Sequence, residues 1–242
     1  MIKGAIFDVD GTLLDSLGIW EEADVRYLER LGIHAEEGLG RILYPMTLKE
    51  ASGYIKRHYP IQETTEEIAA GVLEIVGEFY EEEAPLKSGA AELLESLRRR
   101  GIPMTAATTG ERPLVEAAFK RLGIRSYFGK IFTCTEAGAG KDQPDIYRLA
   151  AGYLGIKPQE TLVFEDALYA VETAAKAGFV TVGIEEPYNA SDKEEIKGLA
   201  DIYLERLKPS AAFWEEINQI SETKRREIHR DDKKNSTDHS RK

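Results

Sequence analysis

The chain has 242 residues, 42% of them hydrophobic, enough for one large domain or for a core with a smaller inserted unit and too apolar for overall disorder. A net charge of −11, from 32 basic and 43 acidic side chains, argues against nucleic-acid binding, because such a surface repels phosphate backbones. The one cysteine, Cys134, rules out an intrachain disulfide framework and is expected to be a small buried side chain. No apolar run reaches about 18 residues and residues 1–5 lack a signal pattern, so the expectation is a soluble cytoplasmic protein with no membrane partner.

Residues 2–7 are apolar and run into aspartates, the pattern of a buried strand. From residue 17 to about 80 the period becomes helical: Ile19, Ala23, Tyr27 and Leu31 recur before Gly32, and Ile68, Val72, Ile75, Val76 and Phe79 form a second stripe. A connection of roughly seventy residues is too long for a plain loop in a compact domain. Residues 17–84 therefore read as a small helical unit inserted into a core made of residues 1–16 and 85–220. Beyond Pro85 helices are expected at 90–100, 113–122, 144–154 and 168–177. Strands are expected at 103–107, 131–133, 161–164 and 180–184, with an edge strand at 201–204. This alternation, with glycines closing the helices, predicts an α/β fold, a doubly wound, Rossmann-like parallel sheet with an inserted α-helical unit. Residues 221–242 are charged, with a local positive excess, and are expected to form a disordered tail.

Ligands of open α/β sheets bind beyond the carboxyl ends of the strands. Those ends carry Asp8 and Asp10, then Thr108 and Thr109, then Lys141 after the short third strand, then Glu165 and Asp166. Asp8 and Asp10, two residues apart, share a face if the strand geometry continues, and carboxylates this close together repel unless a cation intervenes. An all-oxygen set suits Mg²⁺, whereas one Cys and four scattered His residues do not make a zinc site.

The run Asp8-Val9-Asp10-Gly11-Thr12 resembles the opening signature of the haloacid dehalogenase superfamily. Thr108 at a strand end resembles the second motif, Lys141 in Gly140-Lys141-Asp142-Gln143-Pro144-Asp145 the third, and Glu165-Asp166 the fourth. The helical insert resembles the mobile cap of the phosphoglycolate phosphatase and β-phosphoglucomutase-like branch. The resemblance implies that Asp8 attacks phosphorus and that Asp10 is the acid and base. It implies that Lys141 neutralises charge and positions Asp8, while Thr108, Thr109 and Gly110 bind the phosphate. It also implies that Asp8, Asp166, the main-chain carbonyl of Asp10 and, through a water, Glu165 bind Mg²⁺. Asp142 stands where the family usually has Pro. β-Phosphoglucomutases commonly have His ten residues after the position matching Asp10; here Trp20 occupies it. That favours hydrolysis, with Trp20 as a wall over the substrate.

The expected activity is that of a phosphoric monoester hydrolase acting on a small phosphorylated metabolite, a sugar phosphate among the candidates. A hexose-phosphate mutase and a catalytically weak phospholigand-binding domain are the alternatives. A monomer or weak homodimer is expected, and Arg41 or Lys49 is the candidate to meet the far end of the substrate.

Overall fold

The computed structural model describes residues 1–223. Six parallel strands form one sheet, β1 (Gly4–Phe7), β2 (Met104–Thr108), β3 (Phe128–Thr133), β4 (Thr161–Glu165), β5 (Val180–Ile184) and β6 (Ile202–Leu204). Their order is β3-β2-β1-β4-β5-β6, which puts β6 at the edge and β1 in the middle. The doubly wound parallel sheet expected from the sequence is the observed architecture.

Every residue of β1, β2, β4 and β5 is buried, which explains why these strands read as continuous apolar or small-residue runs. Side chains alternate between the faces. Ile6, Ala107, Phe132 and Val163 share one core with Ile146, Tyr147 and Ala150. Phe7, Ala106, Leu162 and Phe164 join the other, which continues into the segment after β1. Phe7 and Phe164 stack with ring centroids 4.2 Å apart. Phe7 pairs with Ala106 on one side and Phe164 on the other, so the chain leaving β1 emerges between the ends of β2 and β4.

Between β1 and β2 lie α1 (Ile19–Arg30), α2 (Leu39–Leu43), α3 (Leu48–His58) and α4 (Thr65–Glu78), then a π turn (Phe79–Glu83) and α5 (Ala90–Arg99). Thr47 and Thr64 each cap a helix by accepting from the backbone N–H three residues on, while Glu50 and Glu67 accept from the cap residues in return. α1 packs on α2 and α4, and α3 on α4. Gly71 leaves no room for a Cβ against the Tyr27 ring, so α4 approaches α1 closely. Of the first stripe Ile19, Ala23 and Tyr27 are buried, whereas Leu31 follows the last turn of α1 and is exposed; all five members of the second stripe are buried.

The later helices are α6 (Arg112–Arg121), α7 (Cys134–Ala137), α8 (Asp145–Leu154), α9 (Leu168–Lys176) and α10 (Lys193–Leu199). Most boundaries fall within two residues of expectation, and three differences have a physical reason. β2 begins at Met104, since Pro103 has no N–H for the ladder, and it includes Thr108. β3 starts at Phe128, where the ring of that residue packs against Phe7 and Phe119. Cys134 is half-buried at the start of α7 and not fully enclosed.

Residues 211–223 are helical, and Phe213, Trp214 and Ile217 on this helix are buried. Ser221, taken above as the first tail residue, is also buried and donates to the Gln159 carbonyl at 2.9 Å. The rest of the expected tail, residues 224–242, lies outside the described residues. Among the described residues no helix is long and apolar enough to cross a membrane.

Candidate active site

The carboxyl ends of β1, β2 and β4 meet around Asp8. β1 stops at Phe7, so the extended geometry that would put Asp8 and Asp10 on one face does not continue. Asp8 is buried, and its Oδ1 accepts a hydrogen bond from Lys141 Nζ. Lys141 also donates to Glu165 Oε1 at 2.7 Å. Glu165 Oε1 is held again by the Tyr147 hydroxyl at 2.6 Å. The other oxygen of Asp8, Oδ2, is enclosed and has no hydrogen-bond partner.

Asp166 lies beside this group. Thr12 Oγ1 donates to its Oδ1 at 2.8 Å and Asn189 Nδ2 to its Oδ2 at 2.7 Å. Asp8, Glu165 and Asp166 each bring an oxygen within 4.8 Å of one another. One ammonium, Lys141, faces these three buried carboxylates, so the cluster lacks positive charge. Burial pushes the Asp166 carboxyl well above its ordinary range, and the charges of Asp8 and Glu165 push it further. Burial opposes the Lys141 ammonium, but the Asp8 and Glu165 carboxylates outweigh it and hold the amine above its ordinary value. An enclosed oxygen without a partner, in an all-oxygen set short of positive charge, fits a hard divalent cation such as Mg²⁺.

Gly11 makes the close approach of Asp166 possible. Its φ is +86°, in the left-handed region, and a Cβ built on it would stand 2.5 Å from Asp166 Oδ2. The same turn is fixed by Lys87, which donates to the Gly11 and Glu185 carbonyls at 2.8 Å each and pairs with the buried Glu186.

Asp10 turns away from the cluster. Its Oδ1 accepts from Ser16 Oγ at 2.7 Å and from the Tyr80 hydroxyl. Its carboxylate is therefore not among the clustered oxygens, which leaves its main-chain carbonyl as the atom that the resemblance assigns to the metal. Burial raises its proton affinity, and the nearby charge of Asp8 adds to the effect.

Thr108 is buried at the end of β2, and its Oγ1 accepts from the Gly110 N–H at 2.8 Å. That N–H, expected to face a phosphate, is engaged here, while the Thr108 hydroxyl keeps its proton to donate. Thr109 is exposed beyond the strand end. Thr109 and Gly110 form one wall of a cavity of about 200 Å³ whose opposite wall is Trp20, Leu73, Val76 and Tyr80 of the helical segment. Arg41 and Lys49 are exposed and line neither this cavity nor the neighbouring one that shares Trp20.

Thr12, Tyr147, Asn189 and Tyr80 are among the residues not anticipated in the roles they hold. Thr12 stands inside a run already singled out and Tyr147 two residues beyond another, but their partners are fixed only by folding. Asn189 follows β5, and applying the strand-end rule to that strand as well would have reached it. Tyr80 carries no local signal.

A family model for haloacid dehalogenase-like hydrolases matches residues 2–178. The chain belongs to this family. It is 28% identical over 214 residues to validoxylamine A 7'-phosphate phosphatase of Streptomyces hygroscopicus subsp. limoneus, covering 87% of this chain and 100% of that protein. It is 32% identical over 197 residues to hexitol phosphatase A of Escherichia coli, covering 80% and 88%. The solved structure of CbbY from Rhodobacter sphaeroides in complex with phosphate superposes with a TM-score of 0.66 at 29% identity, covering 86% and 95%. The enzyme class expected from the sequence, a phosphoric monoester hydrolase of this family, agrees with these findings.

Proposed function

We propose that the protein is a Mg²⁺-dependent phosphatase that hydrolyses a small sugar or polyol phosphate through a phospho-aspartate on Asp8. The observation that carries this reading is the state of Asp8, with one oxygen fixed by Lys141 and the other enclosed, unpartnered and adjoining two more carboxylates. A carboxylate needs no base to become a nucleophile at neutral pH, so the barrier lies in bringing it to an anionic phosphate. Asp8, Asp166 and the main-chain carbonyl of Asp10 are suited to hold Mg²⁺, with Glu165 nearby. When bound, the ion offsets the repulsion between nucleophile and phosphate.

The chain's own groups supply the rest. A carboxylate oxygen of Asp8 forms a bond to phosphorus as the bond to the leaving oxygen breaks, and Asp10 gives the leaving oxygen its proton. Water then attacks phosphorus, Asp10 takes the proton back, and the bond from Asp8 to phosphorus breaks. Ser16 and Tyr80 keep the Asp10 carboxyl in place through both steps. Lys141 neutralises charge beside Asp8, and the Thr108 hydroxyl binds a phosphate oxygen with help from the Thr109 and Gly110 backbone. Residues 17–84 act as a cap over this site, and Trp20 closes the side where the leaving group departs.

The relatives named above, a validoxylamine A 7'-phosphate phosphatase and a hexitol phosphatase, support a sugar or polyol substrate. Trp20 offers no proton relay for the mutase alternative. A catalytically weak binding domain would have no use for Asp10 held beside the nucleophile. Asp8→Asn is expected to lower turnover of p-nitrophenyl phosphate in Mg²⁺ at least about a thousandfold. Full activity in that variant would refute the nucleophile assignment.

A further inference from the structure

Asp24 is a buried carboxylate that the reaction above does not use. It lies on α1, one turn beyond Trp20 and on the same face, and is 6% exposed. Its Oδ1 is enclosed with no hydrogen-bond partner. The other buried carboxylates described above are all held: Asp8 and Glu165 by Lys141, Asp10 by Ser16 and Tyr80, Asp166 by Thr12 and Asn189, and Glu186 by Lys87. Leaving a buried carboxylate oxygen without a donor is costly, and a fold that only needed a filled position would place an apolar residue there.

Asp24 lines a cavity of about 390 Å³ whose other walls are largely apolar, among them Trp20, Leu43, Tyr44, Met46 and Leu48. Trp20 also bounds the 200 Å³ cavity that opens at Thr109 and Gly110. A leaving group that departs from the phosphate-binding strand ends therefore meets Trp20 first and Asp24 one helical turn further on. A single acceptor in an apolar, ring-bearing wall is the arrangement that orients a small ligand. Aromatic rings take up the C–H faces of a sugar or polyol, and a carboxylate takes its hydroxyl protons in short, charge-assisted hydrogen bonds.

We propose that Asp24 is a specificity residue that accepts a hydrogen bond from a hydroxyl of the substrate's leaving group, a sugar or polyol that passes Trp20 into the helical segment. This rests on the reading of the protein as a sugar or polyol phosphatase and adds which residue recognises the far end.

The test compares kcat/KM for sorbitol 6-phosphate with that for n-hexyl phosphate, which has the same chain length without hydroxyls, in the full-length protein and in Asp24→Leu and Asp24→Asn. The parent enzyme should prefer the polyol. Asp24→Leu, close in shape to Asp but apolar, should shrink that preference about tenfold to a hundredfold, the range for losing a charge-assisted hydrogen bond. Asp24→Asn, which keeps one acceptor oxygen, should fall between the two and serves as the deciding variant if the Leu form does not fold. An unaltered preference in the folded variants, or a parent enzyme indifferent to the hydroxyls, would overturn the proposal. A third pair, glucosamine 6-phosphate against glucose 6-phosphate, tests an ammonium donor. If Asp24→Leu affects the amino sugar alone, the hydroxyl assignment is wrong. If the parent enzyme hydrolyses neither these compounds nor p-nitrophenyl phosphate, the phosphatase reading itself has failed.

Discussion

Asp24 should cost the empty protein stability, and removing its charge should make the protein harder to unfold. Burial lifts its carboxyl from an ordinary value of 3.8 to about 6. Because the folded value lies above the unfolded one, the folded state binds the proton more tightly. Protonation therefore favours folding fully below pH 4, and that advantage is lost as the pH rises through 6. At about 1.4 kcal/mol for each factor of ten in proton affinity, the ionised carboxylate costs up to about 3 kcal/mol at pH 8. Asp24→Leu removes this cost without changing the shape of the side chain much. In a chain of this size each kcal/mol moves the melting midpoint by about 2–4 °C, so the midpoint should rise by about 6–12 °C at pH 8. The part of the gain that comes from ionisation should disappear by about pH 4. Thermal melts of parent and variant across this pH range, followed by circular dichroism without substrate, measure it. A variant destabilised at pH 8, or one whose advantage does not change with pH, would show that the carboxylate is satisfied by contacts this structure does not contain.

Other perturbations probe the site itself. Gly11→Ala places a methyl group 2.5 Å from Asp166 Oδ2 at a φ of +86°, so it should displace that carboxylate. The Mg²⁺ concentration for half-maximal p-nitrophenyl phosphate turnover should rise about tenfold, and an unchanged requirement would separate Asp166 from the metal. Tyr80→Phe removes the hydroxyl donated to Asp10 and leaves Ser16, so kcat should fall about threefold to tenfold while the protein stays folded; an unaltered kcat would make that hydrogen bond irrelevant to proton transfer. EDTA should stop turnover and Mg²⁺ should restore it better than Ca²⁺. Mg²⁺ should also raise the melting midpoint of the parent protein, since a cation bound only by the folded state stabilises it, and a midpoint indifferent to Mg²⁺ would count against the cluster as a binding site.

The sheet was legible because its strands are short apolar runs separated by glycine-stopped helices, but the order β3-β2-β1-β4-β5-β6 was not, since β1, β2, β4 and β5 are all buried alike. The positions of Asp8, Glu165 and Asp166 were legible because each stands at or just beyond a strand end, and that of Lys141 because it lies in the connection that follows β3 and α7; the topology of a parallel sheet collects those ends. The partners that hold them were not. Tyr80 reaches Asp10 across seventy positions, and nothing in its neighbours Phe79 and Glu81 marks it. Asn189 reaches Asp166 from a turn after β5 whose path depends on the Lys87 contacts. Extended spacing also misled at Asp10. Two carboxylates two residues apart share a face only while the strand lasts, and β1 ends one residue before the first of them. Arg41 and Lys49 drew attention as cations in an acidic chain, yet both are exposed, whereas the informative polar group of the helical segment is the anionic Asp24.

Ser16 and Tyr80 stand on the two chain connections that bracket the helices α1 to α4, and both hold the same carboxylate. On the proposed reading, everything that reacts belongs to the sheet and its two bracketing residues, and the intervening stretch contributes only what surrounds the departing group. A cassette cut just after Ser16 and just before Tyr80 would carry Trp20 and Asp24 away together and leave nucleophile, proton donor and acidic cluster as they are. Under the proposed roles, selection could then rewrite the choice of substrate in a continuous block of sequence without revisiting the chemistry.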